Sequence, residues 1–299
     1  MGLSKGEIKE LAISTYQILD PKPPKRLIAK AFNLSRQNLY YEGILDDKDN
    51  ELRVQIEELH QTDDTLGCMK LASLLNVSKN RVFRVMLKYG IIPRKDTPTY
   101  KYPGKGDDIA TNQLRDLKQE ELEQYTILVS DIFQFRLSDR TWVYCCFIIR
   151  KQTRQVLSFT YGYSMKAELV GEAAIDLYRV DLVQDLSRKR VIFHSDQGSQ
   201  YGAETTVDEL DKLNFQRSMS RPGTPTDNPF SERFVRTFKL AVTKRYRYQN
   251  LDEFVEFATK WLNFYNNQRP HQSLKQKSPN QYARELGLTQ VNFLYLKMV

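Results

Sequence analysis

The chain has 299 residues, which is enough for about two or three domains with a sizeable core. Its net charge of +8 and isoelectric point near 9.2 favour a polyanionic partner, although an ordinary basic protein would carry the same charge. The 3 cysteines and 3 histidines, without a Cys-x-x-Cys pair, argue against a disulfide framework and a zinc finger. The first residues lack an apolar signal core and no segment is as long as a membrane span, so we predict a cytoplasmic protein with no membrane partner.

The amino-terminal third contains two copies of one sequence pattern. Residues 28–40 align without gaps on residues 71–83. In each copy a small Ala suits the crossing of two helices, an Asn four residues later tolerates the left-handed conformation of a turn, and a Ser two residues after the Asn suits a helix N-cap. The pattern is typical of a helix-turn-helix motif, although ordinary helical hairpins can also contain it.

The second helix of each unit is predicted to recognise DNA, because polar and basic residues at the start of such a helix meet base edges and phosphates. The predicted DNA-binding residues are Arg36, Gln37 and Asn38 in the first unit and Lys79, Asn80, Arg81 and Arg84 in the second. Gly90 is expected to end the second recognition helix. A further helix is predicted between the units, over residues 46–61, and an irregular linker begins at Pro93.

Beyond the linker the sequence becomes rich in strand-forming residues. Strands are predicted over residues 125–134, 141–150, 155–161, 191–194 and 215–220, and helices over residues 166–179, over 202–213 and from about 227 onward. Short polar connections between the first three strands favour an antiparallel meander. The predicted fold class is α/β, with a mixed five-stranded sheet and flanking helices in the element order of the ribonuclease-H-like fold, preceded by two all-α helix-turn-helix units. The predicted domains are residues 1–45 and 46–92 (the two helix-turn-helix domains), 93–123 (linker), 124–285 (α/β core) and 286–299 (carboxy-terminal tail).

Three acidic residues in this half of the chain are candidates for a metal site: Asp131, Asp196 and Glu232. Asp131 lies within an apolar strand, where an ionised carboxylate is costly unless a cation or hydrogen bonds compensate it. Asp196 follows a short buried strand, and ligand-binding groups gather beyond the carboxyl ends of strands in α/β sheets. Carboxylates brought to one point suit Mg²⁺ and phosphoryl transfer. The alternatives are an Asp on the solvent face of an edge strand, an ordinary Asp-Gln-Gly turn and an exposed Glu–Arg pair.

The helix that carries Glu232 is predicted to be amphipathic, with Asp227 as its N-cap and Pro229 in its first turn. At about 100° per residue, one face is apolar and consists of Phe230, Phe234, Phe238, Ala241 and Val242. The opposite face consists of Glu232, Arg236, Lys239 and Thr243. A carboxylate aligned with two cations suits a metal ligand beside a DNA backbone, so Arg236 and Lys239 are predicted to bind DNA phosphates.

Several motifs together resemble the integrase core of bacterial insertion-sequence transposases, most closely the second-frame protein of the third family of these elements. The motifs are Asp131-Ile132, His194-Ser195-Asp196-Gln197-Gly198-Ser199-Gln200-Tyr201, Ser218-Met219-Ser220-Arg221-Pro222-Gly223, Asp227-Asn228 with Glu232 and Lys239, and Tyr265-Asn266-Asn267-Gln268-Arg269-Pro270-His271. The resemblance implies a DDE transposase with a ribonuclease-H-like integrase catalytic core, in which Asp131, Asp196 and Glu232 are the catalytic, metal-binding acids. It also implies that Lys239 contacts the terminal DNA of the element. The segment from Tyr265 to His271 matches a family signature that has no clear chemical role.

These observations lead to the hypothesis that the protein binds the ends of an insertion sequence and catalyses metal-dependent DNA strand cleavage and strand transfer. Two Mg²⁺ ions per active site are expected, with Mn²⁺ as a substitute. The expected partners are double-stranded DNA (the terminal repeats and the target), further copies of the chain in a homo-oligomer on that DNA, and an upstream-frame protein. The alternatives are a non-catalytic helix-turn-helix regulator derived from a transposase and a nuclease of the same fold that cleaves without strand transfer.

Overall fold

The computed structural model describes residues 5–35, 44–95, 110–221, 224 and 227–299. Residues 96–109 of the predicted linker (93–123) lie outside the described residues, and the described part of it contains two short helices, Gln113–Asp116 and Gln119–Leu122, where the sequence predicts none. Contacts within the chain divide it into two units, Met1–Gln55 and Ile56–Val299. The predicted domain boundaries remain predictions. No helix in the described ranges combines the length and the apolar character that crossing a membrane requires.

The first unit contains the turn of the first predicted helix-turn-helix. Its helices are α1 (Lys5–Ile18), α2 (Lys25–Ala31) and the beginning of α3 (Ile44–Thr62). After α2, Asn33 has a φ of 50°, and the N–H of Leu34 donates to the Ala29 carbonyl at 2.8 Å. Asn tolerates this left-handed backbone better than most residues, so the turn forms as predicted. The predicted DNA-binding residues Arg36, Gln37 and Asn38 lie outside the described residues.

The second unit begins with the second helix-turn-helix, which repeats the same turn. Its helices are α4 (Cys68–Leu75) and α5 (Lys79–Lys88). Asn76 has a φ of 51°, and the N–H of Val77 donates to the Ala72 carbonyl at 3.1 Å. The Ser78 hydroxyl oxygen accepts the backbone N–H of Arg81 at 3.3 Å, which makes Ser78 the N-cap of α5. The turns of the two copies therefore share their local geometry as well as their sequence.

Helix α5 ends near Gly90, the residue that the sequence predicts to terminate it. Gly90 has a φ of 67°, and the N–H of Ile91 donates to the Met86 carbonyl at 2.8 Å, which is the longer bond of a Schellman motif. The helix buries Val82, Val85 and Met86. Its opposite face exposes three of the four predicted DNA-binding residues, Lys79, Asn80 and Arg84, and leaves Arg81 half-buried.

A mixed six-stranded sheet forms the centre of the second unit, in the strand order β5-β4-β1-β2-β3-β6. The strands are β1 (Tyr125–Arg136), β2 (Trp142–Arg150), β3 (Val156–Gly162), β4 (Arg190–Ser195), β5 (Phe215–Met219) and β6 (Lys297–Met298). Strand β2 is antiparallel to β1 and β3, whereas β4 is parallel to β1 and β5 is parallel to β4. This order and these directions are those of the ribonuclease-H-like fold, so the predicted fold class is confirmed.

Helices cover the sheet. They are α6 (Gln113–Asp116), α7 (Gln119–Leu122), α8 (Glu168–Ile175), α9 (Val180–Leu186), α10 (Ser199–Gly202), α11 (Glu204–Lys212), α12 (Pro229–Phe238), α13 (Leu251–Asn267) and α14 (Pro279–Glu285). The helix predicted over residues 166–179 is shorter, because a 3-10 turn at Asp176–Tyr178 follows α8. The helix predicted over residues 202–213 begins only at Glu204, because Ala203 has an extended backbone that separates α10 from α11.

An aromatic layer fixes α12 on the sheet. The ring of Phe234 lies 4.5 Å from that of Phe147 on β2, and the ring of Phe238 lies 5.2 Å from that of Phe133 on β1. The ring of Phe238 also lies 5.3 Å from that of Trp261 on α13. Phe234, Phe238, Ala241 and Val242 are buried and Phe230 is half-buried against the core, which confirms the predicted apolar face. This packing fixes the position and rotation of the helix that carries Glu232.

The carboxy-terminal residues belong to the core, although the sequence predicts a tail. Val291, Phe293 and Leu296 are buried, and the N–H of Phe293 donates to the Asn263 side chain at 2.8 Å. The short strand β6 then pairs in parallel with β3. A strand of two residues shows no alternation of apolar and polar side chains, so sequence periodicity could not reveal it.

Ion pairs within the second unit anchor the helix-turn-helix to the α/β core. Asp63 and Arg269 form a pair of 2.7 Å, and their side chains are 0% and 6% exposed. Asp64 pairs with Arg94 at 3.0 Å and with Arg245 at 3.6 Å. Arg94 also donates to the Lys244 carbonyl at 3.1 Å. These contacts join residues that are far apart in sequence and hold the second helix-turn-helix against the core.

Candidate active site

Asp131 lies in the middle of strand β1, just beyond the point at which the neighbouring strand β4 ends. Strand β1 pairs with β2 throughout this region, and Asp131 is opposite Phe147. On the other side, the last described pair between β1 and β4 joins Val129 to His194. Since β1 is not an edge strand, the alternative of an edge-strand Asp is excluded. Asp131 is half-buried, and its carboxylate accepts the N–H of Ile132 at 2.8 Å.

Asp196 occupies the matching position beyond β4. Both Asp131 and Asp196 follow the last β1–β4 pair by two residues, so the parallel register leads the two strands to neighbouring acids. The Asp196 carboxylate accepts the N–H of Gly198 at 3.1 Å, so the turn anticipated for Asp-Gln-Gly is also present. Turn formation and site formation are therefore compatible at this residue. The turn holds the half-buried carboxylate at the carboxyl end of the sheet.

Glu232 lies in the first turn of α12 and is half-buried. The helix start reaches the acids through Asn228, whose side-chain amide donates to the Ser130 carbonyl at 3.4 Å. Ser130 directly precedes Asp131 on β1. The aromatic layer below the helix and this hydrogen bond above it place the first turn of α12 beside Ser130 and Asp131, in the middle of β1.

The start of α12 corrects one sequence prediction. The N-cap residue is Asn228, and Asp227 is not the cap. The Asp227 carboxylate instead receives two hydrogen bonds of 2.9 Å from the Arg221 guanidinium and one of 2.9 Å from the Asn112 side chain. The hydrogen bonds from Arg221 lower the pKa of Asp227 to about 2. A charged bidentate pair is stronger than a neutral cap, and it draws the carboxylate away from the helix. Pro222 and Gly223, in the same connection, lie outside the described residues.

Asp131 is affected electrostatically by the other two acids. Burial and the neighbouring Asp196 raise the pKa of Asp131 to about 7, and Glu232 adds to this effect. The Ile132 N–H and Lys239 oppose it. Burial also raises the pKa of Asp196 and of Glu232. The ionised form of Asp131 is therefore disfavoured both by burial and by its acidic neighbours.

The chemistry of these groups fits a hard divalent cation. Carboxylates whose ionisation is disfavoured by burial and by each other gain most from such an ion. The buried side-chain oxygen of Asn228 has no hydrogen-bond partner among the described residues, which leaves a further oxygen beside the acids. In the described part of the chain, no three His, Cys, Asp or Glu side chains are yet arranged as a formed metal site.

Lys239 is the predicted phosphate-binding residue that lies beside the acids. Its ammonium group is 5.5 Å from the centre of the Phe133 ring, and it begins the π-helical turn Lys239–Thr243 that follows α12. Burial lowers the pKa of Lys239, whereas the Asp131 carboxylate opposes this shift. Arg236, the other basic residue predicted for this face, is exposed.

The hydroxyl and imidazole groups near the acids have structural partners. The Tyr201 hydroxyl bonds to the Ser130 hydroxyl at 3.0 Å, and burial raises the pKa of Tyr201 well above its ordinary value. His194 bonds to Ser218 at 2.9 Å and to Ser220 at 3.0 Å, and burial lowers its pKa to about 4. Tyr201 thus remains a protonated phenol and His194 a neutral imidazole near pH 7.

Two contributions were missed from the sequence. The sequence places Asn228 at the start of a helix and in a matched family motif, but it does not predict the contact of Asn228 with β1. The segment from Tyr265 to His271 had no assigned role. Its Tyr265 ring packs 5.3 Å from Phe234 of α12, and its Arg269 forms the buried pair with Asp63. Only the three-dimensional contacts could reveal that this segment joins α12 to the helix-turn-helix.

The sequence matches two family models, both described as Integrase core domain, over residues 122–225 and 213–279. It is 23% identical over 232 residues to the transposase for insertion sequence element IS904 of Lactococcus lactis subsp. lactis, and the aligned region covers 75% of this chain and 90% of that protein. It is 23% identical over 275 residues to a putative transposase of element IS150 of Escherichia coli, and the aligned region covers 88% of this chain and 95% of that protein. A 31 kDa protein of element IS600 of Shigella sonnei is 32% identical over 139 residues, covering 46% of this chain and 50% of that protein.

Among solved structures, the chain is similar to the catalytic core domain of BIV integrase, with 15% identity and a TM-score of 0.38 over 54% of this chain and 95% of that chain. It is also similar to the HTLV-2 integrase catalytic core domain in complex with magnesium, with 13% identity and a TM-score of 0.40 over 52% of this chain and 95% of that chain.

Proposed function

The chain belongs to the insertion-sequence transposases with a DDE integrase core, and from this premise we propose that Asp131, Asp196 and Glu232 are its catalytic acids. The parallel register of β1 and β4, which sets Asp131 and Asp196 two residues beyond the same strand pair, is the observation that carries the assignment. Carboxylates of this kind suit phosphoryl transfer with a bound divalent cation.

In the proposed site, Asp131 and Asp196 hold divalent cations jointly and Glu232 completes the second position. When bound, two Mg²⁺ ions, or Mn²⁺ in their place, supply the positive charge that in-line displacement at phosphorus requires. Lys239 lies beside Asp131 and contacts a phosphate of the terminal DNA. The phenol of Tyr201 takes no part as a nucleophile, because it is buried, protonated and bonded to Ser130.

The reaction proceeds in two displacements at phosphorus. In strand cleavage, the oxygen of water forms a bond to phosphorus, the bond from phosphorus to the 3′ oxygen breaks, and a free 3′-hydroxyl results. In strand transfer, that 3′-hydroxyl attacks a phosphate of the target DNA and the corresponding bond of the target breaks. Neither step needs a covalent bond between protein and DNA, which agrees with the absence of an activated nucleophile among the described residues around the acids.

The helix-turn-helix units are proposed to bind the terminal repeats of the element. The exposed Lys79, Asn80 and Arg84 lie at the beginning and along one side of α5, where a recognition helix meets the major groove. Terminal repeats occur at both ends of an element, so the active assembly is a homo-oligomer on DNA. A protein from an upstream reading frame remains a predicted further partner.

Replacing Asp196 with Asn is expected to reduce Mg²⁺-dependent cleavage and joining by about a thousandfold or more, because a metal ligand contributes several kcal/mol to the transition state. Binding to the element ends is expected to stay unchanged. The assay uses duplexes taken from the DNA that flanks the coding region, both intact and pre-cleaved. The matched control is Asp208→Asn on the exposed side of α11, which should retain full activity.

Full activity of the Asp196→Asn variant would rule out the assigned acids. A wild-type protein that binds the ends but shows no metal-dependent nicking would instead be the non-catalytic regulator. Cleavage of intact ends without joining of pre-cleaved ends would identify the nuclease alternative.

A further inference from the structure

Asn228 links the two elements that carry Asp131 and Glu232. Its side-chain amide nitrogen donates to the Ser130 carbonyl at 3.4 Å, and Ser130 directly precedes Asp131 on β1. Its main-chain carbonyl accepts the N–H of Glu232 at 3.4 Å and the hydroxyl of Ser231 at 3.0 Å. One residue therefore holds the strand of one acid with its side chain and the helix of another acid with its backbone.

The contact with Ser130 also orients the side chain of Asn228. A carbonyl oxygen only accepts hydrogen bonds, so the atom of the carboxamide that faces Ser130 is its nitrogen. The carboxamide oxygen shares one carbon atom with that nitrogen and therefore lies close to the segment Ser130–Asp131. This oxygen is buried and has no hydrogen-bond partner among the described residues. It belongs to a residue that is only 7% exposed, so bulk solvent does not satisfy it.

A second buried oxygen without a partner accompanies the acids. The side-chain oxygen of Gln197, the residue that follows Asp196, makes no hydrogen bond within the described part of the chain. Buried polar groups in native proteins are nearly always hydrogen-bonded, because a buried acceptor that lacks a donor is costly. The oxygens of Asn228 and Gln197 therefore indicate hydrogen-bond donors that the polypeptide itself does not supply.

The chemistry of the acids indicates which donor this is. Carboxylates of this kind suit Mg²⁺, and Mg²⁺ in such sites usually keeps several of its water molecules. A water molecule bound to a cation is a strong hydrogen-bond donor and has no use for a further donor. Neutral acceptors beside the carboxylates therefore match the hydrated side of the ion. Groups that hold the ligands of a metal in this way orient them and strengthen binding.

We propose that Asn228 is a positioning residue of the active site, whose side-chain oxygen accepts a hydrogen bond from a water molecule bound to the divalent cation. The proposal rests on the proposed function, since it concerns the cation that the same acids hold. It also explains why the residue is an asparagine. Only a carboxamide supplies both a donor for the Ser130 carbonyl and an acceptor for water, whereas a carboxylate would set a charged oxygen against that carbonyl.

The first test measures cation binding without DNA and without a reaction. The metal-free full chain is titrated with Mn²⁺, and the free ion is followed by electron paramagnetic resonance. Asn228→Leu removes both polar atoms at a φ of −131°, which leucine adopts without strain. Its affinity for Mn²⁺ should fall by about tenfold to a hundredfold, as is typical when a group that holds a metal ligand is lost. Asn228→Asp keeps an acceptor and adds a negative charge, so it should bind Mn²⁺ at least as tightly as the wild type.

The matched control is Asn250→Leu, at the N-cap of a helix that carries none of the acids. The Asn250 side chain is exposed and accepts the N–H of Glu253 at 2.9 Å. Its replacement should lower the melting temperature, because a satisfied cap is lost, and should leave the affinity for Mn²⁺ unchanged. Asn228→Leu should show the reverse. It gives up one long hydrogen bond together with one unsatisfied oxygen, so the metal-free variant should melt close to the wild-type temperature while it binds Mn²⁺ more weakly.

Three results would overturn the proposal. The first is an unchanged affinity for Mn²⁺ in a folded Asn228→Leu variant. The second is an affinity of Asn228→Asp below that of the wild type, since this would show that only the donor to Ser130 matters and that the role is structural. The third is a loss in Asn228→Leu as large as that in Asp196→Asn, which would identify a direct ligand of the ion. If Asn228→Leu does not fold, the comparison of Asn228→Asp with the wild type decides.

The second test separates positioning from catalysis by the dependence of cleavage on Mg²⁺. The half-saturating Mg²⁺ concentration of Asn228→Leu should rise by the same factor as its dissociation constant for Mn²⁺. At saturating Mg²⁺ its rate should return to within about tenfold of the wild type, whereas Asp196→Asn should stay inactive. A rate of Asn228→Leu that saturating Mg²⁺ does not restore would contradict a positioning role.

The assignment of the acids and the role of Asn228 fail separately. Loss of catalysis in Asp196→Asn with unchanged Mn²⁺ binding in Asn228→Leu would remove the role of Asn228 and leave the assigned acids intact. Full activity in Asp196→Asn with weakened Mn²⁺ binding in Asn228→Leu would remove the assigned acids and leave Asn228 beside a cation.

Discussion

Replacing Asp131 with Asn is expected to raise the thermal stability of the metal-free protein while it abolishes strand cleavage and joining. The reason lies in the metal-free site, where the Asp131 carboxylate is half-buried and is repelled by Asp196 and Glu232. An amide of the same shape removes the charge and keeps the hydrogen-bond acceptor for the Ile132 N–H. The same change removes a proposed ligand for the divalent cation, so activity and stability should move in opposite directions.

The size of this effect should depend on pH in a defined direction. The pKa of Asp131 in the folded protein is about 7, above the ordinary value of 3.8. A raised acid pKa means that the ionised form opposes folding, so the penalty appears as pH rises from about 4 and is complete above about 7. The gain from Asp131→Asn should therefore be near zero at pH 4 and about 2–4 kcal/mol at pH 8, which follows from a shift of roughly three pKa units at about 1.4 kcal/mol each, reduced for solvent screening.

Chemical unfolding in the presence of a chelator, at pH 4 and pH 8, measures this gain. The control Asp208→Asn should have the wild-type stability at both pH values. Adding Mg²⁺ should stabilise the wild type and should have little effect on Asp131→Asn, because only a folded site that binds the ion gains stability from it. A metal-free Asp131→Asn protein that is less stable than the wild type at pH 8 would contradict the assignment of a repulsive acid cluster.

The local patterns of this sequence predict the local structure well. The strand around Asp131 and the amphipathic helix of Glu232 follow from residue periodicity, and the two Asn-x-Ser turns follow from the backbone preference of Asn. All five predicted strands are present, with ends that differ by a few residues. The acids could be proposed because each stands out from its own neighbours: one within an apolar strand, one after a strand and one on a polar helix face.

The features that could not be predicted depend on competition between partners for one side chain or on contacts between residues that are far apart in the sequence. The sequence predicts Asp227 as the N-cap of α12. Its carboxylate instead binds the Arg221 guanidinium, because that pair is charged and bidentate and therefore stronger than a cap. The pairing of Arg269 with Asp63 joins positions 206 residues apart, and no local pattern marks it.

The largest loss of stability is expected from Arg269→Met. This variant leaves the Asp63 carboxylate buried without its cation, and removing one partner of a buried ion pair typically costs about 3–5 kcal/mol. Two hydrogen bonds from Thr65 to Asp63 remain, at 3.0 Å and 2.5 Å, and they should offset a small part of this cost. Chemical unfolding at pH 7 measures the change. The double variant Asp63→Leu with Arg269→Met should recover most of the loss, because it removes both charges and fills similar space.

The pH dependence of the same variants separates this explanation from simple loss of packing. Although burial raises the pKa of Asp63, Arg269 and Thr65 hold it below the ordinary value in the wild type. The wild type therefore keeps the contribution of Asp63 above about pH 4 and loses it as pH falls through the lowered pKa. In Arg269→Met the unpaired carboxylate should be easier to protonate, so acid should relieve its cost. The stability difference between wild type and variant should shrink between pH 7 and pH 4, whereas a packing defect would leave that difference constant.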